Sequence, residues 1–471
     1  MTSGSEKLQT DGHLALKSAS GRWVLLATVL GSGLALLDST VVNVALPDLG
    51  RELDADMAGL QWTINAYTLT LAGLILLGGS LGDRYGRRAV FLIGTVWFAV
   101  ASALCGLAPN IEFLIGARAL QGIGGALLTP GSLAIIQASF VRGDRPRAVG
   151  AWSGLGGVAA AIGPLLGGGL VQTVGWRWAF LINLPFALIV VLVTLRHVPE
   201  SRDEQAAGRF DVLGSVLAAL ALAGITYGLI QEGAPVPLIA GLVLGAAFVV
   251  TEIRRSPDAL VPVGIFRNHV FTAVNVVTLI MYAAMGVVFF LLVVQLRVVS
   301  GFSATAAGMA MLPTSILMLL LSAKAGEVAK RYGPRWPMTI GILVAGAGFL
   351  WMSTIGFGAS YPLQVLPAVT VFGLGLSAAV APLTATVLAT ADERYAGTAS
   401  GVNNAVARTG SLLAVAAVPP MVGLVGDAFQ EPPVFDAGFR LAMLISAGMM
   451  VVSALITALT IRSNVLAPDE G

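Results

Sequence analysis

The chain has 471 residues, of which 56% are hydrophobic and only 11% charged. Water cannot solvate that much apolar surface on a protein of this size, so the composition excludes a soluble globular protein and points to a polytopic membrane protein. The net charge of +2 is too small to suggest a nucleic-acid partner, and the single cysteine, Cys105, excludes an intramolecular disulfide.

The first 22 residues are polar, and an apolar run, "WVLLATVLGSGLALL", begins at Trp23. It is longer than a signal-peptide core and no small-x-small site follows it, so an uncleaved first spanning helix is expected. Further apolar runs begin near Gly59, Ala89, Phe113, Ala148, Trp178, Val212, Pro237, Val270, Ala304, Pro337, Leu363, Thr398 and Phe439. A helix needs about 20 apolar residues to cross the hydrocarbon core, so the runs predict about fourteen spans.

Basic residues concentrate on alternate loops. Arg84, Arg87 and Arg88 follow the second span, and Arg142, Arg145 and Arg147 the fourth. Arg196, Arg202 and Arg209 follow the sixth, Arg254, Arg255 and Arg267 the eighth, and Lys324, Lys330, Arg331 and Arg335 the tenth. The opposite loops hold Arg51, Arg177, Arg297 and Arg440 among Asp48, Glu52, Asp54, Asp56, Asp427, Glu431 and Asp436. This bias predicts that both termini are cytoplasmic. "GDRYGRR" (Gly82 to Arg88) is echoed by "AKRYGPR" (Ala329 to Arg335), with Lys330 in the place of Asp83, which predicts two related halves.

There is no P-loop and no nucleophile, histidine and acid set, so an enzyme is not expected. His13, His197 and His269 have no metal-ligand spacing, so neither a metal nor another cofactor is expected. Trp62, Trp176, Trp178, Trp336 and Trp351 fall near helix ends and read as interface anchors.

Asp38 stands inside the first span, where a charge costs about 2.5–3.5 kcal/mol. It is either a titrating group that loads and releases a proton as its surroundings change, or one half of a fixed ion pair. Its expected partner is Arg118. Counting along the helices puts Asp38 roughly 12 Å and Arg118 roughly 9 Å below the outer surface, within error of one depth. Gln121, Gly122 and Gly125 share the face of Arg118. Arg408 is a second intramembrane cation with Asn404 on its face, and serves either a central cavity or a helix contact. Cavity candidates with polar handles are Asn65, Tyr67, Gln121, Asn275, Tyr282, Gln295, Gln364, Asn404 and Arg408.

Gly79, Gly82 and Gly86 permit a tight turn and close approach of the second half. Asp83, with Arg84 and Arg87 beside it, would cap a helix of the other half in one conformation, a cytoplasmic gate; the alternative is that the arginines only set topology. Gly150 and Gly154, then Gly163 and Gly167, form small-xxx-small steps that allow close helix packing, and Pro164 removes one backbone hydrogen bond and predicts a kink.

Together these motifs resemble the major facilitator superfamily, in its fourteen-helix drug:proton antiporter branch. The resemblance rests on "LDSTVVNVALP" (Leu37 to Pro47), "GGSLGDRYGRR" (Gly78 to Arg88), "RALQGIGGALLTPG" (Arg118 to Gly131), "GAWSGLGGVAAAIGPLLGGGL" (Gly150 to Leu170), "GWRWAFLINLP" (Gly175 to Pro185) and "GTASGVNNAVARTG" (Gly397 to Gly410). It implies an all-α membrane protein with two six-helix bundles, residues 23–195 and 269–461, and two inserted helices, 211–254. Linkers at 196–210 and 255–268 and tails at 1–22 and 462–471 would be cytoplasmic. It also implies proton-driven export of small amphiphilic compounds, a proton-transfer role for Arg118 and a hinge at Gly150, Gly154, Gly163, Pro164 and Gly167. A monomer in a bacterial plasma membrane is expected, with protons, lipid and substrate as its partners. A lipid or fatty-acyl flippase of the same fold is the main alternative. A nutrient symporter is disfavoured by the glycine motif and the span count.

Overall fold

The computed structural model describes residues 14–202, 211–231, 233–255, 261, 263–390, 396–463, 465 and 466. Most of the linker expected at 196–210 and of both tails lies outside the described residues, as does part of 255–268.

The chain is helical throughout: α1 (Ala19–Glu52), α2 (Met57–Tyr85), α3 (Arg87–Gly106), α4 (Ile111–Ser139), α5 (Arg145–Val174), a short α6 (Trp178–Leu181), α7 (Asn183–His197), α8 (Val212–Ile230) and α9 (Pro235–Arg255). Then follow α10 (His269–Val294) with a π-helical extension (Gln295–Val299), α11 (Ala304–Met309), α12 (Leu312–Tyr332), α13 (Arg335–Met352), a π-helical turn (Tyr361–Val365) running into α14 (Leu366–Ala389), α15 (Ala396–Met421) and α16 (Pro432–Thr460). In lipid every backbone group must be satisfied within the protein, and helices do this locally. Ser18, Asp56, Asn110, Asp211, Asn268 and Ser303 start helices by accepting from first-turn N–H groups. The glycines of the two echoed turns, Gly86 (φ +119°) and Gly333 (φ +84°), both hold the positive φ that side chains disfavour. The sequence repeat is therefore also a repeat of backbone conformation.

Eleven of the described helical segments are long and apolar enough to cross a membrane, and Ile162–Val174 of α5 is a shorter apolar stretch. Large apolar side chains such as Leu459 and Leu220 point outward, as lipid requires. In the first half α2 and α3 pack on α4, and α1 packs on α5 and α7. In the second α10 packs on α15 and α16, and α14 on α12 and α13. The α8–α9 hairpin sits to one side, with α8 touching α2 and α15. Across the seam α5 meets α11 and α12, α2 meets α15, and α1 meets α10.

At the end opposite the arginine-rich loops the two halves are bonded together. Arg297 donates to both oxygens of Asp48 at 2.7 and 2.6 Å. The N–H of Met57 donates to the carbonyl of Gly426 at 2.7 Å, and Gln61 donates to the carbonyls of Val415 and Ala416 at 2.7 and 3.2 Å. Thr305 donates to Gln172 at 2.6 Å. At the arginine-rich end Arg87 donates to Asp83 at 2.9 Å, and Glu200 accepts from the N–H groups of Arg88 and Ala89 at 3.1 and 3.2 Å, all within the first half. The conformation is thus closed at the end opposite the arginine-rich loops, the end that the charge bias of the sequence predicts to be the outer one.

One sequence expectation changes here. Trp176 is not an interface anchor: it is 2% exposed, and its indole N–H donates to Glu52 at 2.8 Å. Glu52 also pairs with Arg177, so that corner is a polar clasp between the α1 and α6 ends. The α5 helix runs unbroken through Pro164 as a single element.

Candidate functional site: a buried ion pair in the first half

Asp38 of α1 and Arg118 of α4 are 0% and 1% exposed, and Arg118 Nη1 donates to Asp38 Oδ2 at 2.6 Å. The depths inferred by counting residues therefore coincide. The same Nη1 donates to Gln121 Oε1 at 2.7 Å, and Nε donates to the carbonyl of Thr63 in α2 at 2.9 Å. Asp38 Oδ1 accepts from Gln121 at 2.8 Å and from Asn183 of α7 at 3.0 Å. Gln121 and Asn183 also reach Ser102 Oγ of α3, at 3.1 and 2.9 Å, and Ser102 donates to the carbonyl of Phe180 at 2.9 Å. The guanidinium lies 4.4 Å above the ring of Tyr67. One carboxylate thus ties α1 to α4 and α7, and its cation ties them to α2.

The physics of the arrangement is asymmetric. An intact buried pair adds little net stability, but removing one partner strands a charge at a cost of about 3–5 kcal/mol. Proton arrival on Asp38 does the same without mutation: it cancels the carboxylate and leaves Arg118 facing Gln121, Thr63 and Tyr67. The carboxyl is held by three side chains from two other helices, so a change in its charge acts on the packing of α1 against them.

Ser102, Asn183 and the Thr63 carbonyl were not anticipated. Asn183 lies in "FLINLPF", where a lone amide in an apolar run was the available signal. Ser102 offered none, since serines commonly bond their own helix. Gln121, expected to face a cavity, instead bridges Asp38 and Arg118.

The other cavity candidates separate into groups. Gln295 is buried at the outer end, where it donates to the Ile355 carbonyl and to Asp436 at 2.8 and 2.6 Å, and so locks a turn rather than lining a cavity. Gln364 folds back within its own turn, accepting from the Ser360 N–H at 2.8 Å and donating to the Thr354 carbonyl at 3.3 Å. Asn275 joins α10 to α15 by accepting from Asn403 at 3.1 Å, and its own amide donates to the Phe271 carbonyl. Sequence spacing could not tell which helix face these amides occupy. In contrast Asn65, Tyr67 and Arg408 carry buried polar atoms without a hydrogen-bond partner among the described residues. Tyr282 is half-buried beside Arg408, and Asn404 is exposed one turn away on the same face of α15.

The glycine motifs also need adjustment. A Cβ on Gly79 would meet only Pro130, and one on Gly82 only Arg87, both in the first half; the close approach to the second half is not made by these residues. Gly86 adjoins the Glu200 carboxylate. Asp83 is held by Arg87 in this state, at 2.8 Å in the shorter contact, and among the described residues it caps no helix of the other half. Arg84 lies 5.9 Å from the ring of Tyr85. In α5, Gly163 and Gly167 do pack tightly, against Thr40 and Val41 of α1, because only a hydrogen fits there. Gly150 and Gly154 meet nothing within 4 Å, so the first small-xxx-small step is unfilled here. Gly168 is tight as well: its Cβ would lie 2.7 Å from Ala304 and Thr305 of the second half.

Residues 28–415 match the model of the Major Facilitator Superfamily. The chain is 34% identical over 430 residues to a tetracenomycin C resistance and export protein of Streptomyces glaucescens, covering 89% of this chain and 80% of that one. It is 32% identical over 468 residues to a puromycin resistance protein of Streptomyces alboniger, covering 95% and 93%. Among solved structures it resembles a POT family transporter in complex with 5-aminolevulinic acid, with a TM-score of 0.74 at 13% identity over 97% of this chain and 99% of that one. It also resembles a bacterial homologue of the lysosomal transporter Spinster in an inward-facing, occupied conformation, with a TM-score of 0.67 at 16% identity over 94% and 97%.

Proposed function

From the premise that this chain belongs to the Major Facilitator Superfamily, we propose that it is a proton-coupled exporter of small amphiphilic compounds such as antibiotics. The relatives named for tetracenomycin C export and puromycin resistance support the cargo class. The observation that carries the coupling is the fully buried Asp38–Arg118 pair, since ionisable groups at membrane depth mark proton relays.

The cycle follows from the geometry. In the outer-closed state Asp38 is clasped by Arg118, Gln121 and Asn183. When the two halves part at the outer end, Asp38 takes a proton from outside and the clasp is cancelled. Return to the outer-closed state delivers the proton inside, while substrate taken from the inner side leaves outward. One charge moved through 100 mV supplies about 2.3 kcal/mol, which sustains roughly a 50-fold gradient at 1.4 kcal/mol per decade.

The bodies that move are residues 23–195 and 269–461, with fourteen crossings in all and 211–254 as the inserted pair. Both termini are cytoplasmic, the membrane is the bacterial plasma membrane, the working unit is a monomer, and the proton gradient takes the place of a cofactor. The chain performs translocation and no covalent chemistry.

The test is transport in proteoliposomes under an imposed pH gradient. Wild type should accumulate a fluorescent amphiphile against its gradient, and Asp38→Asn should not. Gradient-driven accumulation by Asp38→Asn at the wild-type rate would remove this pair from the mechanism.

A further inference from the structure

Arg408 is a half-buried cation with no acidic partner among the described residues. The Nε atom is buried without a hydrogen-bond partner, and no ion pair involves this residue among the described residues. Its electrostatic neighbours are the hydroxyls of Tyr67 and Tyr282, one from each half. The intramembrane acid, Asp38, is already taken by Arg118, Gln121 and Asn183. An uncompensated charge at this depth is expensive, and such groups persist where a partner comes and goes.

The neighbours of Arg408 are also short of partners. Gln61 meets Val415 and Ala416 near the outer end, and Gly401 meets Leu76 farther in, so α2 and α15 run antiparallel. That register brings Tyr67 and Arg408 to one depth. Asn65 follows Gln61 at i+4, so it shares the face that Gln61 turns to α15. Both polar atoms of its amide are buried and unpartnered, as is the hydroxyl of Tyr67. Asn404, one turn from Arg408, is exposed on the same face. The seam between α2, α10 and α15 therefore holds a guanidinium Nε, the Tyr67 hydroxyl and the Asn65 amide with their hydrogen bonds unmade.

We propose that Arg408, with Tyr67, Tyr282 and Asn65, forms a recognition site for the carboxylate of an anionic amphiphile. A guanidinium fork matches a carboxylate in two parallel hydrogen bonds, and the phenol and amide groups supply further donors. The aromatic rings and apolar walls of the seam take the rest of the molecule. Tyr67 links the two centres: its ring lies under Arg118, and it interacts electrostatically with Arg408. An anion bound at Arg408 is thus sensed next to the guanidinium that releases Asp38, which couples cargo to proton.

This deepens the export reading and rests on it, so the experiment separates the two. The probes are 1-pyrenebutyrate and 9-anthracenecarboxylate, each compared with its methyl ester. Binding to the detergent-solubilised full chain and pH-driven transport in proteoliposomes are both measured. Wild type should bind each acid about tenfold tighter than its ester, a preference of one decade. Arg408→Gln should remove that preference and leave ester binding within about threefold, with Arg408→Lys restoring part of it. Tyr67→Phe keeps the ring on Arg118 and should weaken acid binding alone, which covers the case in which Arg408→Gln fails to fold. Equal binding of acid and ester by wild type, or equal loss of both in Arg408→Gln and Tyr67→Phe, overturns the site. Preferential acid binding without transport of either probe would instead overturn the export reading and leave the site standing.

Discussion

Arg297, at the π-helical end of α10, holds both carboxylate oxygens of Asp48, at the end of α1, at 2.7 and 2.6 Å. The pair crosses between the halves on the closed side, and Arg297 is only 12% exposed. It acts as a bolt that forms in one conformation and must break in the other. An exposed pair is worth up to about 1 kcal/mol, which is roughly fivefold in a two-state population. Asp48→Asn should therefore enrich the outward-open state, read as a longer separation between spin labels on the outer ends of α1 and α10. The exchange Asp48→Arg with Arg297→Asp should restore the wild-type distribution. An unchanged distribution in Asp48→Asn would mean that the outer closure is held without this pair, by the Gln61, Met57–Gly426, Thr305–Gln172 and Gly168 contacts.

The buried pair predicts a different phenotype for each partner. Asp38→Asn leaves Arg118 charged with only neutral partners, so it should lower thermal stability by up to about 3–5 kcal/mol and abolish response to an imposed pH gradient. Asp38→Glu keeps the charge and should retain part of the activity with a displaced pH optimum. Stability and transport are read on the same purified samples, by thermal melting and by uptake. Wild-type melting with wild-type coupling in Asp38→Asn would contradict both consequences.

Arg118→Lys tests geometry at constant charge. The guanidinium bonds Asp38, Gln121 and Thr63 at once through Nη1 and Nε, and a compact ammonium cannot span all three. A lost hydrogen bond to a charged group costs about 1.5–3 kcal/mol, so coupled transport should fall about tenfold or more. Membrane protein level by blot should stay near wild type. Full activity in Arg118→Lys would reduce the residue to a point charge.

Charge was the legible part of this protein, and helix face was not. Asp38 and Arg118 stood out because each interrupts an apolar run, and counting residues put them at one depth. Asn183 and Ser102 complete the same network but are small polar groups that membrane helices also use for ordinary packing. Gln295, Gln364 and Asn275 were misplaced for a related reason: composition shows that an amide is in the membrane, not whether it faces the seam, a turn or a neighbour. Trp176 failed differently, because its N–H found an acid, Glu52, that lies far away in the chain. The echoed R-Y-G turns were readable, since only a glycine tolerates the positive φ at Gly86 and Gly333.

Asp83 gives a prediction about populations. It pairs with Arg87 one helical turn on, with 41% of its side chain exposed, so the pair contributes little to stability. Asp83→Asn should leave the melting temperature within about 1 °C, a shift of about 1 kcal/mol or less for a chain of this size. If Asp83 instead caps the second half when the inner side closes, the variant should shift spin-label distances between the inner ends of α2 and α15 toward the open-inside state. Unmoved distances would leave the arginines with topology alone.

The glycine face of α5 makes the sharpest distinction between packing and direction of transport. Gly163 and Gly167 lie on α1 within the first half, whereas Gly168 lies on Ala304 and Thr305 of the second. A methyl at Gly168 would sit 2.7 Å from backbone atoms that must be reached each time the outer side closes. Overpacking of this kind costs about 1–3 kcal/mol, and it is charged only to the outer-closed state. Gly168→Ala should therefore keep normal expression, favour the outward-open state and slow export severalfold. Gly163→Leu should strain the α1–α5 contact in every conformation, so both export and melting temperature should fall. Gly150→Ala meets open space in this state and should be the mild variant. Efflux of a fluorescent amphiphile from energised cells, with protein level by blot, ranks the three. Wild-type efflux in Gly168→Ala beside lost efflux in Gly150→Ala would reverse the order and place the moving contact on the inner half of α5.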